Sequence, residues 1–474
     1  VHKGEAGTNG PIIHSLFFTE TMGGISELGE VILSDADEMA LVHGELYLNI
    51  HSTDNPAGEI RGQILQGGTL GEGVVVGILD TGIDPWNPSF LARGGDGYSH
   101  SNPLGSGNYL GVCNSADPSY DPTFPCNDKL IGAWGYPSAN GGDPRDTDGH
   151  GSHTASTAAG NLVVGAVIKA PTGDFPANIS GMAPHANVIV YSVCDGGCPG
   201  AALAAARDQA LLDGVDVINS SIGSAAPTGD FWERAEATQW LTLRDAGVFV
   251  AISAGNSGNG DATVGSPADV PWMTAVGANS HPRTYLVTLT MTDSNSTSID
   301  VSGQALTAGY GPAEIILSTS VADTEDARLC APGAFAPGTF DGEIVVCERG
   351  TYGRVAKGQS VLDGGAGGMV LAQPEEESGG PGSLATDSHV LPAVHIDYSE
   401  YQKLRQFLLI DAAGTVTGDL SGAAFDYDTA RGDIMATFSS RGPNRSDGDL
   451  IVPAVTAPGR AIFAAYRQGD GGDP

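Results

Sequence analysis

The sequence predicts an α/β fold built on a parallel sheet, combined with two β-rich segments. From residue 74 onward, runs of consecutive apolar residues alternate with helix-like stretches, as expected of strands buried on both faces of a parallel sheet. Before residue 67, and again after about residue 285, the pattern changes to short strands with Thr, Ser and Gly. We therefore expect a β domain over 1–66, an α/β domain over 70–285, a β-rich insert over 286–425, and the continuation of the α/β domain over 426–474.

The first segment shows two alternating runs that predict strands, over 45–50 and 59–64. An Asn-Pro-Ala-Gly turn lies between them at 55–58, and the Gly-rich stretch 67–71 then forms a junction. This segment shows no helical periodicity, so we expect a small β unit.

The α/β part contains four apolar runs that predict its buried strands. They cover 74–79, 188–191, 215–218 and 248–252. Helices are predicted over 201–212 and 231–246, each ended by a glycine. In such folds the active site lies at the carboxyl ends of the strands.

The β-rich insert begins with a predicted strand at 285–290 and contains one predicted helix near 399–409. The α/β pattern resumes at 434–438. This resumption indicates an insertion into the α/β domain rather than a separate domain that follows it.

The charge of the chain argues against nucleic acid and anionic membranes as partners. The 474 residues contain 21 Lys and Arg against 56 Asp and Glu, a formal net charge of -35. Such acidity is typical of solubility in an extracellular or salty medium. No apolar run approaches the ~18 residues of a membrane span. The first residues resemble neither an initiator nor a signal peptide, so we expect the true N-terminus to lie upstream.

The six cysteines form three pairs of near neighbours in the sequence, and such local pairing predicts disulfides. The pairs are Cys113 with Cys126, Cys194 with Cys198, and Cys330 with Cys347. Disulfides imply an oxidising compartment, so we expect a secreted protein. Buried free thiols stay open as the alternative, because spacing alone does not bring two sulfur atoms together.

Asp80 directly follows the first apolar run of the α/β part, so it lies at the carboxyl end of a strand. A buried carboxylate in this position can orient an imidazole and stabilise its protonated form. The Asp-Thr-Gly motif at 80–82 also occurs in aspartic proteases, but those enzymes need two such carboxylates, and no second Asp-Thr/Ser-Gly is present.

His150 lies in the stretch His-Gly-Ser-His-Thr-Ala at 150–155, where glycines and small residues open a tightly packed helix. This placement suits a general base. His150 and His153 could instead bind zinc, but the Glu of the His-Glu-x-x-His pattern is absent and no third ligand is evident. We interpret His153 as a packing or hydrogen-bonding residue.

Asn256 follows another apolar run, in Ala-Gly-Asn-Ser-Gly at 254–258. Its side-chain amide could donate a hydrogen bond to a developing oxyanion. Taken alone, the same residues would form an ordinary turn.

The three motifs, in this order, resemble the subtilisin-like serine protease family, the subtilases. Supporting matches lie at 181–184, 213–217, 438–444 and 456–459, so the resemblance covers nearly everything after residue 70. It implies a subtilisin-like parallel sheet flanked by helices, and a serine-type endopeptidase that hydrolyses polypeptides.

The resemblance also implies a role for each motif. Asp80 would orient the base, His150 would act as general base and then acid, and Asn256 would supply an oxyanion donor. The stretch Ser221, Ile222 and Gly223 matches the edge strand that binds an extended substrate by β-augmentation.

Two further resemblances concern the β-rich segments. The insert is similar to the protease-associated domain of plant-type and bacterial subtilases, through Cys330 and the stretches 342–350 and 357–369. Such domains influence substrate access or association, with passive decoration as the alternative.

The first segment is similar to the second half of a CHRD domain. Its His2, His14 and His51 could suggest a metal, but scattered histidines are more often surface residues.

The sequence departs from the family at the nucleophile. The Gly-Thr-Ser-Met segment that carries it does not occur in the 474 residues, and neither Ser439 nor Ser440 has its context. At 452–454, Val-Pro-Ala replaces the common Lys-Pro-Asp. We expect an inactive fragment of a longer enzyme, with a naturally shortened pseudoenzyme as the alternative.

The implied chemistry needs no cofactor. Many subtilases hold structural calcium, but Asp and Asn are too common here to assign its ligands. Two hypotheses follow from the sequence: an extracellular serine endopeptidase, and a non-catalytic peptide-binding or surface module that keeps the cleft without the chemistry.

Overall fold

The computed structural model divides the chain into two compact units, Val1–Glu72 and Gly73–Pro474. Within these two units, the structure describes residues 2–3, 11–13, 19–21, 24–26, 46–50, 60–64, 70–224, 230–374, 384–410 and 414–467. Each unit is treated by itself below.

The first unit is built from short antiparallel strands. In chain order they are β1 (His2–Lys3), β2 (Thr19–Thr21), β3 (Gly24–Ser26), β4 (Leu46–Ile50) and β5 (Ile60–Ile64). A three-stranded sheet has the order β1-β4-β5, and β2 pairs with β3. The two predicted strands are therefore confirmed as β4 and β5, whereas the predicted turn at 55–58, His14 and His51 lie outside the described residues.

The second unit begins with strands and helices in alternation. Up to residue 279 they are β6 (Val75–Asp80), β7 (Leu110–Gly111), β8 (Leu130–Gly135), α1 (Pro137–Asn140), α2 (His150–Ala159), β9 (Val163–Ala170), β10 (Gly173–Ile179), β11 (Asn187–Ser192), α3 (Gly200–Asp213), β12 (Val217–Ser220), α4 (Ala235–Asp245), β13 (Phe249–Ser253) and β14 (Thr274–Asn279).

A second group of elements follows. It comprises β15 (Arg283–Thr292), β16 (Ser298–Gln304), β17 (Tyr310–Leu317), α5 (Glu325–Arg328), β18 (Ile344–Glu348), α6 (Arg354–Asp363), β19 (Gly368–Ala372), β20 (Ala393–Ile396), α7 (Tyr398–Ile410), β21 (Thr417–Leu420), β22 (Ala424–Tyr427) and β23 (Val455–Pro458). Short 3₁₀ turns cover Pro88–Phe90, Phe231–Glu233, Ser318–Ser320 and Thr429–Arg431.

Eight parallel strands form the main sheet, in the order β23-β14-β13-β12-β6-β11-β8-β7. Both of its faces are buried, as the apolar runs predict. Along β6, Val75 and Leu79 pack in one core with α3 and α4, whereas Val76 and Ile78 pack in another with α2. The α/β fold with its parallel sheet is thus confirmed.

The helix predicted over 231–246 is interrupted in the structure. A 3₁₀ turn covers Phe231–Glu233, and α4 starts only at Ala235, because Arg234 between them has extended backbone angles. The Arg234 guanidinium donates to Ser266 Oγ at 2.9 Å and to Asp269 Oδ2 at 2.7 Å. These long-range partners hold the backbone out of the helix.

The inserted group forms a second eight-stranded sheet, in the order β16-β20-β19-β18-β17-β21-β15-β22. An additional pairing of β15 with β16 closes it on itself. Its parallel strand β18 is buried on both faces, since Val346 packs in one core with Leu404 of α7 and Val345 packs in another with Val361 of α6. The predicted strand at 285–290 and helix near 399–409 are found within β15 and α7.

All six cysteines are paired in the structure, as the sequence predicts. The sulfur atoms of Cys113 and Cys126, of Cys194 and Cys198, and of Cys330 and Cys347 are bonded to each other. The alternative of buried free thiols is therefore excluded.

The described residues include neither a membrane-spanning helix nor a cluster of metal-binding side chains. No helix among them combines the length and apolarity needed to cross a membrane. In the same part of the chain, no three His, Cys, Asp or Glu side chains lie together as a metal-ion site would require.

We expect acid to destabilise the fold through buried histidines. Burial lowers the pKa of His100 to about 4 and that of His395 to about 3. In the unfolded chain both would take up protons near pH 6.5, so stability is lost as the pH falls below that value toward the folded-state pKa values. The limit is about 1.4 kcal/mol per pH unit for each histidine.

Chemical unfolding between pH 7 and pH 4.5 measures this slope. The His395→Asn variant should have a shallower slope than the wild type, because the side chain no longer titrates. His281→Gln, at a partly exposed position, is the matched control and should keep the wild-type slope. Equal slopes in all three proteins would contradict the assignment.

Candidate active site

Asp80 is the last residue of β6 and lies at the carboxyl edge of the main sheet, fully buried. One carboxylate oxygen, Oδ1, accepts a hydrogen bond from the Thr81 amide at 2.8 Å and lies 2.6 Å from His150 Nδ1. The other oxygen accepts from Thr154 Oγ1 at 3.1 Å. A buried carboxylate is costly unless such donors surround it, so this group is fixed in place.

His150 is the first residue of α2, and its ring joins the buried carboxylate to the surface. Its side chain is 47% exposed whereas that of Asp80 is 0% exposed. Because the ionised carboxylate can only accept, Nδ1 carries the proton, and Nε2 remains as a basic nitrogen. The hydrogen bond to Asp80 raises the pKa of His150, against the opposing effect of burial. The pair has the arrangement that an oriented general base requires.

A second carboxylate, Asp146, holds the loop that precedes His150. Its Oδ1 accepts from Gly149 N at 2.8 Å and from Thr81 Oγ1 at 2.9 Å, and its Oδ2 accepts from Ser152 N at 2.8 Å. Burial would raise the pKa of Asp146, but these hydrogen bonds outweigh it and the pKa is lowered. Thr81 in turn accepts from Gly151 N at 2.8 Å. Asp146 therefore ties the Asp80 loop to the start of α2.

Sequence reasoning missed Asp146 as a positioning residue. The feature that could have identified it is its position just before the Gly-His pair that starts a helix. A carboxylate there can accept hydrogen bonds from the free backbone amides of the first turn. Without the fold, nothing distinguished it from Asp148, which is exposed and accepts a hydrogen bond from His150 N at 3.2 Å.

Glycines allow α2 to start close to the sheet. Gly149 has φ = 106°, a left-handed conformation, and a Cβ on it would lie 2.3 Å from Cζ of Tyr466. A Cβ on Gly151 would lie 2.2 Å from the carbonyl oxygen of Gly82. Any larger residue at either position would displace His150 from Asp80.

Asn256 is exposed and follows β13, two strands away from β6 in the sheet. Parallel strands lie about 4.8 Å apart, so the two strand ends are separated by roughly 10 Å at the same edge. The turn is held by Ser440, whose Oγ accepts from Ser257 N at 3.0 Å and whose amide donates to Gly255 O at 2.9 Å. Ser440 is thus a buried positioning residue, a role that the sequence did not reveal.

Residues 221–223 continue beyond the end of β12 without belonging to a strand. The next residue, Ser224, exchanges two backbone hydrogen bonds with Ser266, at 2.8 and 3.2 Å. This bridge holds the segment in place. Ser221, Ile222 and Gly223 therefore lie at the same sheet edge as Asp80, between the end of β12 and this bridge.

The Cys194–Cys198 disulfide closes a small loop after β11, next to the His150 loop. Asp195 in this loop accepts a hydrogen bond from Thr147 Oγ1 at 3.4 Å.

His153 lies one helical turn along α2 from His150, and its Nε2 donates a hydrogen bond to Ile462 O at 3.1 Å. This contact agrees with the expectation of a hydrogen-bonding residue.

Neither serine of the 438–444 stretch is placed to attack a substrate. Ser439 and Ser440 are buried, and their hydroxyl oxygens accept backbone hydrogen bonds from Ala278 and Ser257, both at 3.0 Å. The described residues thus bring a candidate base, a candidate oxyanion donor and a candidate peptide-binding segment to the same edge of the main sheet.

Comparison with known proteins agrees with this arrangement. The sequence model of the subtilase family matches residues 71–471, and that of the CHRD domain matches residues 1–64. Subtilisin-like protease SBT1.4 of Arabidopsis thaliana is 33% identical over 435 residues, which cover 88% of this chain and 53% of that protein. Subtilisin-like protease SBT5.4 of the same organism is 35% identical over 424 residues, covering 85% and 51%. The chain therefore spans about half the length of the curated relatives it matches.

We expect Asp80→Asn to lower the pKa of His150, because the hydrogen bond to the carboxylate is the largest influence that raises it. An NMR titration of the His150 ring measures this. Asp148→Asn is the matched control, since it removes a charge near the ring but keeps an oxygen that can accept from His150 N. It should cause a smaller decrease. A His150 pKa that does not fall in Asp80→Asn, or falls equally in both variants, would disprove the orienting role.

Proposed function

The chain belongs to the subtilase family, and on this premise we propose that it carries the base, its orienting carboxylate and an oxyanion donor of a secreted serine endopeptidase. The observation that supports this most directly is the 2.6 Å hydrogen bond between the buried Asp80 carboxylate and Nδ1 of the half-exposed His150. The stability of the fold does not require a half-exposed imidazole at this position. A hydroxyl nucleophile, by contrast, requires such an oriented base to take up its proton.

In this proposal His150 Nε2 takes the proton of a serine hydroxyl as that hydroxyl attacks the substrate carbonyl. Asp80 stabilises the imidazolium that forms and remains ionised. Asn256 donates a hydrogen bond to the oxyanion of the tetrahedral intermediate. His150 then returns the proton to the leaving amine, and attack by water releases the acyl group by the same route.

Substrate binding is assigned to Ser221, Ile222 and Gly223, where a polypeptide would add an extended strand. Such a segment reads backbone rather than one terminal group, so cleavage within polypeptides is expected. We assign the β-rich insert to a protease-associated domain and the first segment to part of a CHRD domain, and no cofactor takes part in the reaction. The three disulfides fit an extracellular location.

The nucleophile is the part of the machinery that the 474 residues do not supply, since no Gly-Thr-Ser-Met segment occurs among them. We therefore expect these residues alone to bind peptides without hydrolysing them. In subtilisin, loss of the serine costs about 10⁶ in turnover.

A fluorophosphonate probe, which reacts with activated serines, tests the proposal. We expect no labelling of the 474-residue chain and strong labelling of the protein expressed with the reading frame that follows it. In that longer protein, His150→Ala should reduce labelling by several orders of magnitude, and Asn256→Ala should reduce peptide turnover by about 10² to 10³, as for the oxyanion donor of subtilisin.

His281→Ala is the matched histidine control and should label like the wild type. Equal labelling of His150→Ala and the wild type would refute the base. If the following reading frame contains no Gly-Thr-Ser-Met, the enzyme proposal fails, and a non-catalytic peptide-binding protein takes its place.

A further inference from the structure

The segment that follows β23 lies along α2, the helix that begins with the candidate base. His153 Nε2 donates a hydrogen bond to Ile462 O at 3.1 Å, and Ala465 N donates to Ser156 Oγ at 2.9 Å. Ala465 is also buried, in the same core as Ala159 of α2. The segment is therefore held on the helix by hydrogen bonds to two neighbouring turns and by an apolar contact.

Tyr466, the next residue, brings its ring to the start of α2. A Cβ built on Gly149 would lie 2.3, 2.4 and 2.7 Å from Cζ, Cε2 and Cδ2 of Tyr466. Three neighbouring ring atoms therefore fill the space that a side chain at position 149 would occupy. Tyr466 is 48% exposed, and the protein covers the rest of its surface. The ring thus packs against the residue that directly precedes His150.

Gly149 is a residue that its surroundings must hold in one conformation. Its φ of 106° is left-handed, and glycine adopts positive and negative φ values about equally readily. The Gly149 amide donates to Asp146 Oδ1 at 2.8 Å, and the Gly149 carbonyl accepts from His153 N at 3.1 Å. These bonds hold the two polar groups of the residue. The Tyr466 ring lies against its Cα and opposes rotation toward other φ values.

We propose that Tyr466 is a positioning residue for His150 and acts through Gly149. By covering Gly149, the ring keeps the chain in the conformation that places His150 Nδ1 2.6 Å from the Asp80 carboxylate. Without the ring, Gly149 can reach other φ values, and the imidazole leaves Asp80 for part of the time. The role depends on packing, so the aromatic ring carries it and the hydroxyl does not. The inference rests on the proposed function, because His150 is the base of that site.

Exchange of the His150 Nδ1 proton with solvent tests the proposal, measured by NMR on the 474-residue chain with ¹⁵N-labelled histidine. In the wild type, the hydrogen bond to Asp80 should protect this proton. Tyr466→Ala should speed its exchange about tenfold or more, because each opening of the Gly149 loop exposes the proton to water. Tyr466→Phe keeps the ring and should exchange like the wild type.

Tyr427→Ala is the matched control and should also exchange like the wild type. It removes a tyrosine of similar exposure, 40%, from β22 of the inserted sheet. Tyr466→Val leaves part of the apolar cover and should give an intermediate rate, so it replaces Tyr466→Ala if that variant does not fold.

Three results would overturn the inference. They are wild-type exchange in the folded Ala or Val variant of Tyr466, exchange in Tyr466→Phe as fast as in that variant, and the same increase in Tyr427→Ala. Each of them leaves the proposed peptidase intact, because labelling of the longer protein tests that proposal separately. Fast exchange in Tyr466→Ala without labelling of the longer protein would refute the peptidase and support the positioning role.

Discussion

The buried carboxylate of Asp80 is the constraint on which the organisation of the site depends. A charge with no exposed surface at the carboxyl end of a central strand must be met by donors within hydrogen-bond distance. Those donors are the Thr81 amide, Thr154 and His150, two of which belong to α2. The helix must therefore begin directly over the end of β6, with its positive end near the anion. Fold and chemistry are linked through this one group.

Close docking of α2 in turn restricts its composition. The residues that it buries are Gly151, Ser152, Ala155, Ser156 and Ala159, all of them small. They contribute little apolar area, so the helix is held by the Asp146 hydrogen bonds and by close backbone contact rather than by large side chains. This explains why a helix with such a weak apolar stripe is nevertheless a fixed part of the site.

Much of the fold and of the site could be predicted from the sequence. The features that could not be predicted all depend on contacts between residues far apart in the chain. Buried strands and the motifs shared with the subtilases consist of contiguous residues, so β6, Asp80 and His150 could be identified from the sequence. The interruption at Arg234 depends on Ser266 and Asp269, the closure of the inserted sheet on the pairing of β15 with β16, and the role of Ser440 on a turn almost two hundred residues away. Contacts this distant in sequence leave no local pattern.

The same view explains how the main sheet tolerates its insert. β14 and β23 are separated by the whole inserted sheet yet pair directly, with Val276 opposite Val455. The chain leaves and returns through one narrow stem, where Ser280 N donates to Ile434 O at 2.9 Å and Asp433 N donates to Ser280 O at 3.1 Å. These backbone hydrogen bonds hold the two ends of the insert together. The conformational entropy lost when the insert folds therefore does not weaken the pairing of β14 with β23, and their parallel register is kept.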